Sequence, residues 1–259
     1  MKIRLINLLW LCGLFLVLSA HSAKAQQYYY RIRIFHYKTQ AQENRLNNYL
    51  KNALLPALRR AHIPKVGVFK PVEQDTADRK IYVFIPFKNE DELNNTKGRV
   101  WGDKQYLELG KDFIGAEYND LLYTRIEVIE LRAFPMWPAP TEPKLTANKP
   151  DRVYELRSYE SASEKLNINK VKMFNDGGET TLFRRLNFNA VFYGEVIAGS
   201  HMPNLMYMTT FENKADRDKH WDTFSNDPEW KALVAKPEYA HNVSKADITF
   251  LHPTEYSDF

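Results

Sequence analysis

The segment VYELRSYE, Val153 to Glu160, sets a carboxylate, a guanidinium and a phenol at alternate positions: Glu155, Arg157 and Tyr159. Side chains two apart on a strand share a face, so these three groups would stand side by side. A carboxylate so placed can serve as general acid or base, a guanidinium can anchor an anionic or carbonyl group, and a phenol can donate a hydrogen bond. The segment YYRIRIFH, Tyr29 to His36, has the same build, with Arg31, Arg33 and Phe35 on one face and Tyr30, Ile32 and Ile34 on the other. Tyr193, Glu195, Tyr207 and Thr209 lie on further alternating stretches and are expected to join the polar face. Glu155, Glu195 and His201 are the candidate acid-base groups; Arg31, Arg33, Arg157, Tyr193 and Tyr207 are the candidate ligand-binding residues.

The aliphatic face is the natural seat for helices, which would turn the polar face into the space between two sheets. Buried charges are costly unless paired. These groups therefore either form a salt-bridge network across that space or surround a polar ligand, and the residues alone leave both open. His201 sits in the turn Gly199 to Pro203, where a proton carrier and a plain exposed loop histidine are both compatible with the sequence.

Other chemistries lack their residues. Beyond residue 25 the histidines are His36, His62, His201, His220, His241 and His252, which include no pair at i,i+4 spacing, so no metal site is expected. There is no Gly-x-Ser-x-Gly elbow, phosphate-cradling loop or dinucleotide fingerprint. No cofactor is expected.

Lys2 and Arg4 precede an apolar run from Leu5 to Leu18, followed by small and polar residues ending Ala23-Lys24-Ala25. This has the order of a secretory signal peptide, residues 1–25, cleaved near Ala25/Gln26. The run is shorter than the roughly 20 residues of a membrane-spanning helix, and no later segment is continuously apolar over that length. A periplasmic or extracellular protein without a transmembrane segment is the expectation. Cys12, the single cysteine, lies in the segment, so the mature chain has no thiol for disulfide, metal or nucleophile. Removal also takes Lys2, Arg4 and Lys24 and no acid, reducing the formal charge from +4 to +1. Such a balance gives no sign of a nucleic-acid partner; a small organic ligand and a homo-oligomer remain open.

The elements that must position these groups emerge from one displacement. Shifted by 124 residues, the mature chain repeats its hydrophobic pattern: Tyr30, Ile32 and Arg33 fall on Tyr154, Leu156 and Arg157, IYVFIPF (Ile81 to Phe87) on LMYMTTF (Leu205 to Phe211), and Asp103 on Asp227. A duplicated unit leaves such a trace. Between the copies runs FPMWPAPTEPKLTANKP, Phe134 to Pro150, whose five prolines mark a linker with Met136 and Trp137 against a domain. In each copy a period-two strand precedes a helical stretch: Ala41 to His62, interrupted by Pro56, and a matching helix that begins near the capping pattern Ser161-x-x-Glu164 and is loosened by Gly177-Gly178. Two strands, a helix and a closing strand follow. Asp227-Pro228 predicts an N-cap and first turn.

The order β-α-β-β-α-β is the ferredoxin-like pattern, so the expectation is an α+β protein of two tandem ferredoxin-like domains whose sheets cover each other as an internal pseudo-dimer. The expected division is 26–133 for the first domain, 134–150 for the Pro-rich linker, 151–253 for the second domain and 254–259 for a C-terminal tail.

The second copy carries VYELRSYE, MFNDGGE, VFYGEVIAG, MPNLMYMTTFE and NDPEWKAL in order, and over Arg152 to about Pro253 it closely resembles the NIPSNAP family of the dimeric α/β-barrel superfamily. The first copy lacks the Gly-Gly-Glu segment, having Ala53-Leu54-Leu55 there, and is the divergent one. The resemblance implies the fold, two tandem ferredoxin-like domains packed as an intramolecular dimeric α/β barrel, and leaves the chemistry between a non-catalytic binding or interaction protein and a cofactor-independent oxygenase or isomerase of the wider superfamily.

Overall fold

A computed structural model describes residues 26–259; residues 1–25, expected from the sequence to be a signal peptide, lie outside the described residues, and Cys12 with them. The first half runs β1 (Tyr29–Tyr37), α1 (Gln40–Tyr49), a π-turn at Leu50–Leu54, α2 (Leu55–Arg60), β2 (Gly67–Pro71), β3 (Arg79–Phe87), α3 (Glu90–Trp101), α4 (Lys104–Leu109), α5 (Lys111–Ile114) and β4 (Arg125–Ala133). The second half runs β5 (Val153–Glu160), α6 (Glu164–Asn175), α7 (Glu179–Arg185), β6 (Phe192–Ala198), β7 (Asn204–Phe211), α8 (Lys214–Asn226), α9 (Pro228–Val234) and β8 (Lys245–Pro253).

Local chemistry sets these limits. Thr39 and Gln42 form a reciprocal capping box that starts α1. Pro56 has no N–H to offer, and the helix accommodates it with the wider π-turn just before. Asn89 and Asn213, 124 residues apart, cap α3 and α8 through their side-chain oxygens, and Asp103 and Asp227 do the same for α4 and α9. The cap of α6 is Ser163, not Ser161, whose hydroxyl instead donates to the Asn242 carbonyl. Gly177-Gly178 separates α6 from α7, with Gly178 at φ 89, a value that suits a residue without Cβ.

The strands close into one antiparallel barrel in the order β1-β3-β2-β8-β5-β7-β6-β4. Each half contributes four neighbouring strands, and the halves are stitched edge to edge: β2 to β8 through Phe69↔Pro253 and Lys70↔His252, and β4 to β6 through Leu131↔Val196 and Arg132↔Glu195. Closure removes the free edges that two separate sheets would expose. The displacement of 124 holds at β1/β5 and β3/β7, slips by one at β2/β6, where Val68 and Tyr193 take matching register, and by four at β4/β8, where Arg125 matches Lys245.

The two faces of the strands are exchanged relative to the sequence expectation. Tyr30, Ile32, Ile34, Phe69, Phe84, Leu131, Tyr154, Leu156, Phe192, Met208 and Leu251 form a single buried cluster drawn from both halves, which fills the barrel. The polar face carrying Arg31, Arg33, Glu155 and Arg157 lies on the outside of the barrel, under the helices. An eight-stranded barrel is just wide enough for its own side chains, and a charge inside would have neither water nor room for a partner. Tyr154, whose hydroxyl has no partner, shows the cost; burial raises its pKa.

The linker crosses the second half. Trp137 packs on the apolar cluster around Phe174 and Phe183, while Met136 remains half exposed. Residues 254–259 fold back against β2: Thr254 and Asp258 donate to the carbonyls of Val68 and Val66, and Phe259 is buried in the barrel cluster against Phe84. The linker is fastened at Glu212, whose carboxylate accepts from the amides of Thr146 at 2.9 Å and Ala147 at 2.6 Å. Those donors hold its carboxyl below the usual range. A depressed carboxyl favours the folded state above its unfolded pKa of about 4.3, and the benefit is lost as pH falls through the lower folded value. The protection factors of the Thr146 and Ala147 amides, that is their exchange relative to the unfolded chain at the same pH, are therefore expected to fall as the pH drops below about 4.3 and, at neutral pH, in Glu212→Gln. Unchanged linker protection in the variant would refute the attachment.

Candidate functional site

Two layers of helix cover the outside of the barrel, and they treat equivalent strands differently. In the first half a cavity of about 470 Å³ remains between the outer face of β1, β3 and β4 and the helices α1 to α5. Arg31 and Arg33 of β1 form its floor with Ile85, Phe87 and Glu130, and Tyr49, Trp101, Tyr106 and Phe113 supply walls. Arg31 is spent: its Nε and Nη2 donate to Glu130 Oε1 at 2.9 and 2.6 Å. Arg33 has no carboxylate partner among the described residues, and its guanidinium lies 4.9 Å from the Phe35 ring centre. Tyr49 stacks on Phe113 at 3.7 Å and shares a 3.0 Å hydroxyl contact with Tyr106. Burial pushes the Tyr49 hydroxyl far above the ordinary phenol range, so it faces the cavity region as a protonated donor or acceptor.

In the second half the equivalent space is filled. Glu155, fully buried, accepts from Arg217 through two 2.8 Å bonds and from Trp221 Nε1 at 2.7 Å, and the Arg157 guanidinium lies 3.0 Å away as an ion-pair partner without a hydrogen bond to it. Arg157 in turn donates to the hydroxyls of Tyr159 at 2.7 Å and Tyr207 at 3.2 Å and lies 4.0 Å from the Trp221 ring centre. Burial drives the Tyr207 pKa well up. Beside this network Lys170 and Glu179 form a second buried pair at 2.8 Å, and burial raises the Glu179 carboxyl above its ordinary value against the pull of Lys170.

The difference lies in side-chain volume at matched helical positions. Where the second half has Phe174, Trp221 and Phe224, the first half has Leu50, Lys97 and Val100 at the 124-residue displacement. Trp221 turns inward to the Glu155 carboxylate, whereas Lys97 is exposed. Three large rings replaced by two aliphatics and an outward lysine leave the first half hollow.

The structure thus separates the residues singled out from sequence. Arg31 and Arg33 line a cavity. Glu155, Arg157 and Tyr207 form a packed ionic and phenolic network, and Tyr193 stacks beside Tyr207 at 5.5 Å. Glu195 does not face an interior space: it lies on the outside seam and pairs with Arg132 of the other half at 2.8 Å. His201 is largely exposed at one barrel end, 3.0 Å from Glu160 Oε1. That end holds a polar mouth of about 400 Å³ in which His36 stands between Asp78 at 2.7 Å and Glu127 at 3.1 Å. No group of three or more metal-ligating side chains occurs among the described residues.

Sequence reasoning missed Tyr49, Tyr106 and Phe113, and also Arg217, Trp221, Lys170 and Glu179. A signal existed for Lys170, which stands four residues before Phe174 on the buried stripe of α6. The aromatic walls were hidden because their positions read equally well as ordinary helix core.

A closed, antiparallel eight-stranded barrel covered outside by helices defines the architecture as that of the dimeric α/β-barrel proteins. A protein from Lactobacillus acidophilus provisionally labelled a monooxygenase aligns over 88% of this chain and 94% of its own with a TM-score of 0.55 and 15% identity. Another from Fusobacterium nucleatum with the same provisional label covers 88% and 92% at a TM-score of 0.53 and 8% identity. These likenesses concern the fold. Residues 154–258, which make up most of the second half of the chain, match the NIPSNAP family model. A NIPSNAP family protein from Agrobacterium tumefaciens is 20% identical over 41% of this chain and 96% of its own, with a TM-score of 0.36. A search among curated proteins gave no match.

The buried pair gives a direct test of the filled half. Removing one partner of such a pair strands the other and typically costs about 3–5 kcal/mol, whereas replacing both with apolar residues is often neutral. Glu179→Gln is therefore expected to lower stability to denaturant by about that amount, and Lys170→Met with Glu179→Met to recover most of it. Equal losses in the single and double variants would contradict the pairing.

Proposed function

We propose that the protein binds a small organic molecule, mostly apolar and bearing one anionic or carbonyl group, in the first-half cavity. The observation that carries this is Arg33: a guanidinium without a carboxylate partner among the described residues, in a cavity walled by Tyr49, Trp101, Tyr106 and Phe113. The volume of about 470 Å³ lies within the roughly 300–1,000 Å³ usual for small-ligand sites. The ring walls suit a planar or hydrocarbon body, and Arg33 suits a single polar end. On this proposal the second half is the rigid, packed member of a duplicated ferredoxin-like pair, and its charges are structural. The division at 26–133, 134–150, 151–253 and 254–259 belongs to the same reading, as do export after loss of residues 1–25 and the absence of a resident cofactor.

The alternative is a cofactor-independent monooxygenase or isomerase acting in that cavity. It is favoured by the provisional labels of whole-chain structural neighbours and by the Tyr49–Tyr106 hydroxyl pair, which could donate to a developing oxyanion. Glu195 and His201 would then have no part in the reaction, since one is paired on the outer seam and the other sits at the barrel end.

Native mass spectrometry of the chain from Gln26, compared with Arg33→Gln and Arg157→Gln, tests the proposal. The expected result is a co-purifying small molecule that is lost in Arg33→Gln with melting temperature maintained. Arg157→Gln should retain the molecule while melting several degrees lower, since about 1 kcal/mol shifts a chain of this size by roughly 2–4 °C. A molecule retained in Arg33→Gln, or none at all, would refute it.

A further inference from the structure

The two ends of the barrel are finished differently. At one, residues 254–259 fold back and Phe259 is buried against Phe84. At the other, a bowl of about 400 Å³ remains above the last apolar layer, and the barrel beneath it is solid. The inward side chains turn polar toward this bowl: His36 follows Ile34 on β1, Glu127 precedes Ile129 on β4, and Asp247 precedes Thr249 on β8. These strands come from both halves, so the bowl exists only in the closed barrel.

Its floor is apolar and open. Ile34, Ile129 and Met206 keep 5–7% of their surface, whereas Ile32, Leu131 and Met208, one layer deeper, keep no more than 1%. Its rim is polar and already neutralised. Arg125 pairs with Glu127 at 2.7 Å, Lys80 with Asp78 at 3.5 Å and Lys245 with Asp247 at 2.8 Å. Cations and carboxylates thus balance, and the rim selects no ion. Acceptor capacity is left over: Glu127 accepts through Oε1 alone and Asp247 through Oδ2 alone, with 30% and 50% of these side chains exposed. Ser158 accepts from Asn204 at 2.9 Å and keeps its own O–H to donate.

Water can satisfy this rim but leaves the apolar floor uncovered. A molecule that meets both has an apolar face and hydroxyl donors around its edge, and a hydroxyl given to a carboxylate makes a strong, charge-assisted bond. The mouths of β-barrels are among the usual places for small-molecule sites, whose volumes run to roughly 300–1,000 Å³.

We propose that the bowl is a second ligand site, independent of the reading of the Arg33 cavity, which binds one neutral polyhydroxylated ring of monosaccharide size. The C–H face of the ring lies on Ile34, Ile129 and Met206, and its hydroxyls donate to Glu127 and Asp247 and accept from Ser158. The anionic or mostly apolar body assigned to the first-half cavity has no counterpart here.

Isothermal titration with D-glucose, D-galactose and myo-inositol tests the site on the chain from Gln26 and, in parallel, on Arg33→Gln. At least one of the three should bind one to one with a Kd of about 1 mM or below, and equally in both proteins. Asp247→Ala, which alters a half-exposed rim residue, and Ser158→Leu, which brings a larger apolar side chain into the bowl, should each weaken that binding about tenfold or more. Added sodium chloride should leave the affinity nearly unchanged, since the ligand carries no charge. Asp247→Ala should also retain any molecule held through Arg33, so that failure of one site is read separately from failure of the other. No saturable binding of any of the three, affinity indifferent to both Asp247→Ala and Ser158→Leu, loss of binding in Arg33→Gln, or a steep fall of affinity with salt would each overturn the proposal.

Discussion

Closure of the sheet is the constraint on which everything else rests. Once β2 bonds to β8 and β4 to β6, the inward face of every strand is sealed from water in a space that only side chains can fill. The period-two alternation of β1 and β5 then has one acceptable orientation, with Tyr30, Ile32, Ile34, Tyr154 and Leu156 inside. Arg31, Arg33, Glu155 and Arg157 must face out. A one-residue change of register would reverse both faces at once, so the hydrophobic interior fixes where the charged groups stand.

What the charged face becomes is decided by the helices laid over it. Desolvating an ion pair is repaid only where geometry and extra hydrogen bonds are good, and the second half meets that condition: Glu155 has both oxygens occupied by Arg217 and an indole donor beside them. The first half has no acid at the matching strand position, where Arg31 replaces Glu155, and turns instead to Glu130 on β4. Arg33 is left over, under helices whose smaller residues leave room above it. One half of the barrel is thereby a packed support while the other retains a cavity.

Much of this architecture was legible in the sequence, because it depends on patterns that local chemistry writes plainly. The order of strands and helices, the break around the linker prolines, the Asp227 cap and the two-fold repetition all come from period, capping and proline rules. The orientation of the strand faces was not. Glu155 and Ile32 belong to faces of opposite character, but alternation alone does not say which face meets helices and which meets the other sheet; closure at the seams decides, and those bonds join residues such as Lys70 and His252 that show no sequence pattern. The cavity was illegible for a related reason. It arises from differences of ring against aliphatic at Leu50/Phe174, Lys97/Trp221 and Val100/Phe224, and only coordinates reveal that these three positions converge over one patch of sheet.

The claim most exposed to experiment is that the usable space lies outside the barrel, above Arg33, with the barrel itself solid. Xenon fills apolar voids in crystals and reports them as strong density. A xenon-pressurised crystal of the chain from Gln26 should show a site among Tyr49, Trp101, Tyr106 and Phe113 and none among Tyr30, Leu156 and Phe192. Xenon inside the barrel, with Arg31 and Arg33 turned toward it, would contradict the account.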